Sequence, residues 1–200
     1  MILLLQIILP ITSFICWKET VIRLLKINEK NIELKTTFYT FTCVTIVALL
    51  FFCFGFTLSQ VQPAHPNFHL SFLKILITNS EIAVNTLFLE FLTFGLYSLT
   101  YLFNQFFSLG IMIGGLIKQY SWVQVTSFFW IHGLPEVIGM IITASIVPNT
   151  IILMWNKYVL KRHCFIYRTT IILFFIMTLL IILAAFLETF IAPYFVIKLH

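Results

Sequence analysis

Apolar residues run through this chain in four long blocks that are almost free of charge. Thr37 to Ser59 contains no charged side chain, Ile82 to Ile117 contains only Glu90, Gln119 to Asn156 contains only His132 and Glu136, and Thr169 to Ile197 contains only Glu188. A helix that crosses a bilayer needs about 20 mainly apolar residues, so each block is long enough for at least one span. The second block has 36 residues and as one helix would reach about 54 Å, far more than a hydrocarbon core of roughly 30 Å. It reads as a hairpin broken near Gly95–Thr100, with spans over 81–98 and 101–118. The third block is also too long for one span. Gly133 and Pro135 supply a helix start inside it, because proline is tolerated in a first turn, and the span is placed at 133–155. With 37–59 and 169–192, the pattern predicts five spans in an all-α, polytopic membrane bundle that forms a single domain over 1–200.

Composition agrees with the pattern. At 60% hydrophobic, 17% aromatic and 10% charged residues, too few polar side chains remain to cover a water-facing surface. The formal charge of +5 follows the topology and not a nucleic-acid partner. Lys18, Arg23, Lys26, Lys30 and Lys35 precede the first span, and Lys157, Lys161, Arg162 and Arg168 lie in or beside the connection before the last. Five spans place those nine on one face and only Lys74, Lys118 and Lys198 on the other. By the positive-inside rule the amino terminus and the 156–168 connection are then cytoplasmic and the carboxyl terminus external. Residues 1–36 read as a cytoplasmic segment whose opening stretch lies in the membrane interface, and 60–80 as the longest external loop. The cysteines Cys16, Cys43, Cys53 and Cys164 have no C-x-x-C spacing, so neither a disulfide nor a zinc site is expected.

Carboxylates in hydrocarbon are costly, which makes each buried one a candidate functional group. Glu136 lies 21 residues before Lys157, and Glu188 lies 20 residues after Arg168, on helices that run antiparallel. Both carboxyls are therefore expected at similar depth, away from the basic connection. His132 and Glu136 are four residues apart and share a face if the helix already includes His132. If His132 instead caps the helix, Glu136 sits in a first turn where the helix dipole favours negative charge. The intramembrane polar cluster is thus His132, Gly133, Glu136 and Glu188. Asn85, Glu90 and Asn104 are expected to pack and to hydrogen-bond between helices. The Gly110-x-x-x-Gly114 motif permits close helix approach, between copies or within one chain. There is no G-x-S-x-G motif, no P-loop and no aspartate, so no catalytic residue, cofactor or metal is expected, and an ATP-driven role needs a second chain.

Read together, Asn85, "LTFGL" (92–96), "FNQFFSLGIMIGG" (103–115), "WIHGLPEVIGMIITAS" (130–145) and "LAAFLETFIAP" (183–193) resemble the stage II sporulation protein M family. The H-G-x-x-E core at His132, Gly133 and Glu136, and the second core with Ala184, Ala185, Phe186, Glu188, Phe190 and Pro193, carry most of that resemblance. It implies a small protein of about five membrane helices without catalytic activity, in which Ala185 and Pro193 serve helix packing. Where the family pattern has glycine after the asparagine at the position of Asn104, this chain has Gln105, so the tight turn of the pattern is not implied here. The H-G-x-x-E core sets the chain with the broad membrane branch, which resembles subunits encoded with ABC-type ATPases and with bacteriocin clusters. The expectation is a permease-like or immunity subunit with an ABC-type ATPase partner, a hydrophobic peptide as cargo, membrane lipid as solvent, and self-association into a homo-oligomer. The alternatives are a non-catalytic scaffold of a sporulation or cell-wall remodelling complex, and an intramembrane enzyme using Glu136 and His132.

Overall fold

The computed structural model describes residues 32–60, 71–120 and 122–191. Five helices account for nearly all of them: α1 (Ile32–Thr57), α2 (Phe72–Leu92), α3 (Tyr97–Gln119), α4 (Trp122–Tyr158) and α5 (Ile166–Phe186), the last continued by a π-helical turn over Leu187–Ile191. No strand occurs among the described residues. Five segments are long and apolar enough to cross a bilayer, the fourth being Gly133–Tyr158 within α4. The chain is an all-α helical bundle of a multi-pass membrane protein, and its exposed surface is correspondingly greasy. Leu34, Phe38, Phe91, Phe175 and many others project outward where lipid, not water, is the surrounding medium.

The bundle is built around α4. Residues 141–149 are all buried, a continuous run that only a helix enclosed on every side can show. The other four helices each touch it. α1 contributes a narrow stripe, Ile32, Thr36, Thr40, Val44, Ala48, Phe51 and Gly55, spaced by fours and one three so that it stays on one face. It lies against both α3 and α4. The α1–α3 approach is close enough for backbone to meet backbone: a side chain on Gly55 would strike the carbonyl of Phe107, and one on Gly110 the carbonyl of Phe52 and the amide of Phe56. Gly114 likewise abuts Ser59. Aromatic rings fill the flanks, with Phe51 edge-on to Phe103 at 5.3 Å and Phe103 stacked on Phe107 at 4.9 Å. The glycine pair of the Gly110-x-x-x-Gly114 motif is therefore occupied inside one chain, and its small-residue packing serves α1 and not another copy.

Several boundaries differ from the sequence pattern, for physical reasons. α2 begins at Phe72, not near 81, because Ser71 caps it by accepting a hydrogen bond from the Lys74 amide at 3.3 Å. Lys74 and Glu81 are thus carried on the helix, and only 61–70 of the expected loop lies outside the described residues. The hairpin turns at Thr93–Leu96, slightly before the expected break. There Thr93 Oγ1 donates to the Leu89 carbonyl at 2.8 Å and accepts from the Tyr97 amide at 3.0 Å. Gly95, at φ +83°, stands 3.1 Å from the Pro148 side chain once a Cβ is added, and its amide donates to the Glu90 carbonyl at 2.6 Å. A left-handed residue wedged against a proline ring requires glycine. α3 runs unbroken through Asn104–Gln105, so the family turn is absent there.

The larger correction concerns α4. It starts at Trp122 and passes through Gly133, Pro135 and Pro148 without ending. A proline inside a helix removes one hydrogen bond, but packed neighbours and local adjustment satisfy the freed carbonyl in membrane helices. At the opposite end of the bundle the Phe165 amide donates to Glu33 Oε1 at 2.5 Å, which ties the start of α1 to the start of α5. Beside it, burial, helped by the Glu33 charge, pushes the Cys164 thiol up from its ordinary pKa. The expected interfacial segment, 1–36, falls outside the described residues up to 31; its last residues already belong to α1.

The close α1–α3 contact makes a direct prediction. Gly110→Leu should destabilise the bundle by about 1–3 kcal/mol or more, since backbone must move to admit it, whereas Gly139→Ala, whose new Cβ meets Leu180 Cβ at 3.7 Å, should be tolerated. Thermal unfolding of the two purified variants, followed by helix content, separates these outcomes.

Candidate functional site

Four of the helices line a small, partly open cavity of about 50 Å³ inside the apolar span. α2 supplies Asn79, Ile82 and Ala83, α3 supplies Tyr101 and Gln105, α4 supplies Pro135, Glu136, Gly139, Met140 and Thr143, and α5 supplies Ile181 and Ala184. Its polar groups come from three elements. Half-buried Asn79 lies on the inner face of α2 with the buried Ile75, Ala83, Thr86 and Glu90, at helical spacings of four, four, three and four. Tyr101 and Gln105 are one turn apart on α3, and Glu136, Gly139 and Thr143 follow one face of α4. Thr143 Oγ1 is turned back to the Gly139 carbonyl at 2.9 Å, so the half-buried Glu136 carboxyl is the ionisable group of the cavity on α4.

Glu188 is brought toward Glu136 by the π-helical turn at the end of α5, and the two carboxyls lie within electrostatic reach of each other. The hydroxyls of Thr150 and Thr170, 2.9 Å apart, set the register of α4 against α5. Glu136 lies 14 residues before Thr150 and Glu188 lies 18 after Thr170, so their depths differ by about 6 Å, roughly one helical turn. His132 lies ten residues inside α4, so it is not a cap and Glu136 is not in a first turn; the His132 side chain itself lies outside the described residues. Gly133 is buried with the ring of Phe129 folded over it, 2.6 Å from where a Cβ would stand.

The remaining predicted residues separate into buried and exposed. Glu90 is 0% exposed and neither of its carboxyl oxygens has a hydrogen-bond partner among the described residues. Tyr101, on the next helix, lies within electrostatic reach of both Glu90 and Glu136. Ala185 is fully buried. Asn85 and Asn104 are exposed and neither makes a hydrogen bond among the described residues, so neither joins the described helices. Pro193 lies outside the described residues. Asn79, Tyr101, Gln105 and Thr143 were not singled out from the sequence, although the Asn79–Glu90 spacing on one helical face and the Tyr101–Gln105 step carried the signal. A second buried polar group gathers nearer the basic end, where Thr37 Oγ1 donates to Asn149 Oδ1 at 3.4 Å and Arg162 Nη1 to Asn156 Oδ1 at 3.5 Å. No three metal-ligating side chains gather among the described residues.

A buried carboxyl without a partner is a burden on stability. Glu90→Met, which keeps the side-chain volume and removes the polar group, should raise the stability of the bundle by roughly 1–3 kcal/mol, and Glu90→Gln should not. Unfolding midpoints of both variants provide the comparison, and a lower midpoint for Glu90→Met would show that Glu90 holds a stabilising partner.

Compared with known families, the chain matches the model described as Stage II sporulation protein M over residues 38–193. That range contains all five helices except the first turns of α1. No curated protein and no solved structure matched.

Proposed function

The chain belongs to the stage II sporulation protein M family, and from that premise we propose that it is a non-enzymatic, permease-like or immunity subunit working with an ABC-type ATPase to export, or protect against, a hydrophobic peptide. The observation that carries this reading is the cavity within the apolar span, bordered by Glu136, Tyr101, Asn79 and Gln105. Ionisable and amide side chains around a space in hydrocarbon are the usual mark of a pathway or a substrate contact. The peptide is the cargo class that such a site suits, because amide side chains can both donate to and accept from a peptide backbone.

The basic connection supplies a docking face for a soluble partner. Lys161 and Arg168 are exposed there, at the ends of α4 and α5, and the positive-inside rule puts this face, with the amino terminus, in the cytoplasm and the carboxyl terminus outside. A membrane-impermeant maleimide should therefore label Lys161→Cys only from the cytoplasmic side and Tyr120→Cys only from outside. The reverse pattern would remove the cytoplasmic docking face from the proposal.

The central test is biochemical. A nucleotide-binding subunit encoded beside this chain should co-purify with it, and Glu136→Gln should lower peptide resistance at unchanged expression. If the chain purifies alone and deletion of neighbouring ATPase genes leaves resistance as it was, the reading fails. The family description favours a second reading, a scaffold for sporulation or cell-wall remodelling enzymes. Under that reading loss of the chain blocks engulfment and leaves peptide sensitivity unaltered.

A further inference from the structure

The outer surface of the α2–α3 hairpin carries polar groups that no described residue satisfies. Asn85 on α2 and Asn104 on α3 are exposed and without a hydrogen bond among the described residues. Both are inside the apolar thickness. The turn between the two helices stops against Pro148, ten residues short of the end of α4, and from Asn85 back to Phe72, or from Asn104 on to Gln119, at least 13 residues of helix remain. An amide facing hydrocarbon with no partner is costly, and in membranes such groups characteristically hydrogen-bond to a neighbouring helix.

Their depths identify the neighbour. Asn85 lies ten residues before Gly95 and Asn104 nine after it, so on an antiparallel hairpin the two amides are level within about 1.5 Å. Copies of one chain insert in the same orientation, and a two-fold axis along the membrane normal brings residues of equal depth together. Under that symmetry residue i meets j while j meets i. Each amide has donor and acceptor sites, so the pair is complementary to itself. An unrelated partner would place no requirement on equal depth.

The surroundings fit the same arrangement. Thr100, Asn104 and Ser108 are all exposed and follow one another at four-residue steps, a stripe of short polar side chains along one face of α3 that allows close helix approach. Gly110 and Gly114, on another face of that helix, are already pressed against α1 and Ser98 is buried, so this stripe remains open on the exposed side of α3. We propose that two copies of the chain associate in the membrane through the α2–α3 hairpin, with Asn85 of each copy paired to Asn104 of the other across a two-fold axis.

The test uses the full chain in lipid vesicles of phosphatidylethanolamine and phosphatidylglycerol, with no other protein present. Single-molecule photobleaching across a range of protein densities should show a monomer–dimer equilibrium. The Asn85→Leu/Asn104→Leu double variant should shift it toward monomer by on the order of tenfold, from the loss of two interhelical amide pairs. Asn85→Gln/Asn104→Gln, which retains the amides, should dimerise better than the leucine variant. In a mixture of Asn85→Cys and Asn104→Cys chains on a background without other cysteines, mixed disulfides should form, whereas Phe38→Cys and Phe175→Cys, on the exposed faces of α1 and α5, should not cross-link. A chain monomeric at every density, a dimer indifferent to the leucine changes, or cross-links through α1 or α5 would each overturn the proposal. So would cross-linking of Asn104→Cys in cells to a different membrane protein in place of a second copy.

Discussion

The architecture depends on the complete burial of the middle of α4. In hydrocarbon there is no aqueous hydrophobic drive to press one apolar helix on another, so association rests on packing, on small residues and on the few polar groups that need partners. Residues 141–149 are packed on all sides at once. Thr143 and Ser145 return their hydroxyls to the carbonyls of Gly139 and Ile141, and Asn149 receives Thr37 from α1. With its own polar atoms largely folded back, this stretch presents a close-fitting surface against which the other four helices are arranged.

The cavity follows from that arrangement. α1 reaches α3 so closely at Gly55 and Gly110 that α3 is held toward the α1 side of the bundle, and α2 and α3 touch each other only lightly. The space left among α2, α3, α4 and α5 is where Glu136 projects and where Asn79, Tyr101 and Gln105 converge. The cavity and the close α1–α3 contact thus belong to one arrangement, in which helices that meet backbone to backbone on one side leave room on another. Tyr101 lies within electrostatic reach of both Glu90, in the interior, and Glu136, at the cavity.

The polar residues divide by what satisfies them. Thr93 bonds the backbone of its own turn, Glu33 the backbone of the segment that begins α5, and these fix geometry. The Glu90 carboxyl has no hydrogen-bond partner among the described residues, and Asn85 and Asn104 face outward. In a low-dielectric medium unsatisfied groups of this kind persist only where something beyond stability retains them. The first points into the bundle and the other two point out of it, so the internal site and the external surface are separate features of the same hairpin.

From the sequence alone, hydrophobic block length against bilayer thickness determined the five spans and the all-α class, and the distribution of lysine and arginine determined the expected orientation. Those are local or additive properties of the chain. The helix ends were less legible: Ser71 starts α2 through a side-chain cap, and α4 ignores Pro135 because its neighbours compensate, and neither is visible in hydropathy. Glu136 and Glu188 stood out as charges in apolar runs, yet Asn79, Tyr101 and Gln105 did not, because their role comes from convergence across helices. Tertiary structure alone decided that Gly110 and Gly114 serve α1 and that Asn85 and Asn104 face outward. The reason is rotational: a span can be counted from composition, but which side of it meets another helix depends on packing against partners distant in sequence.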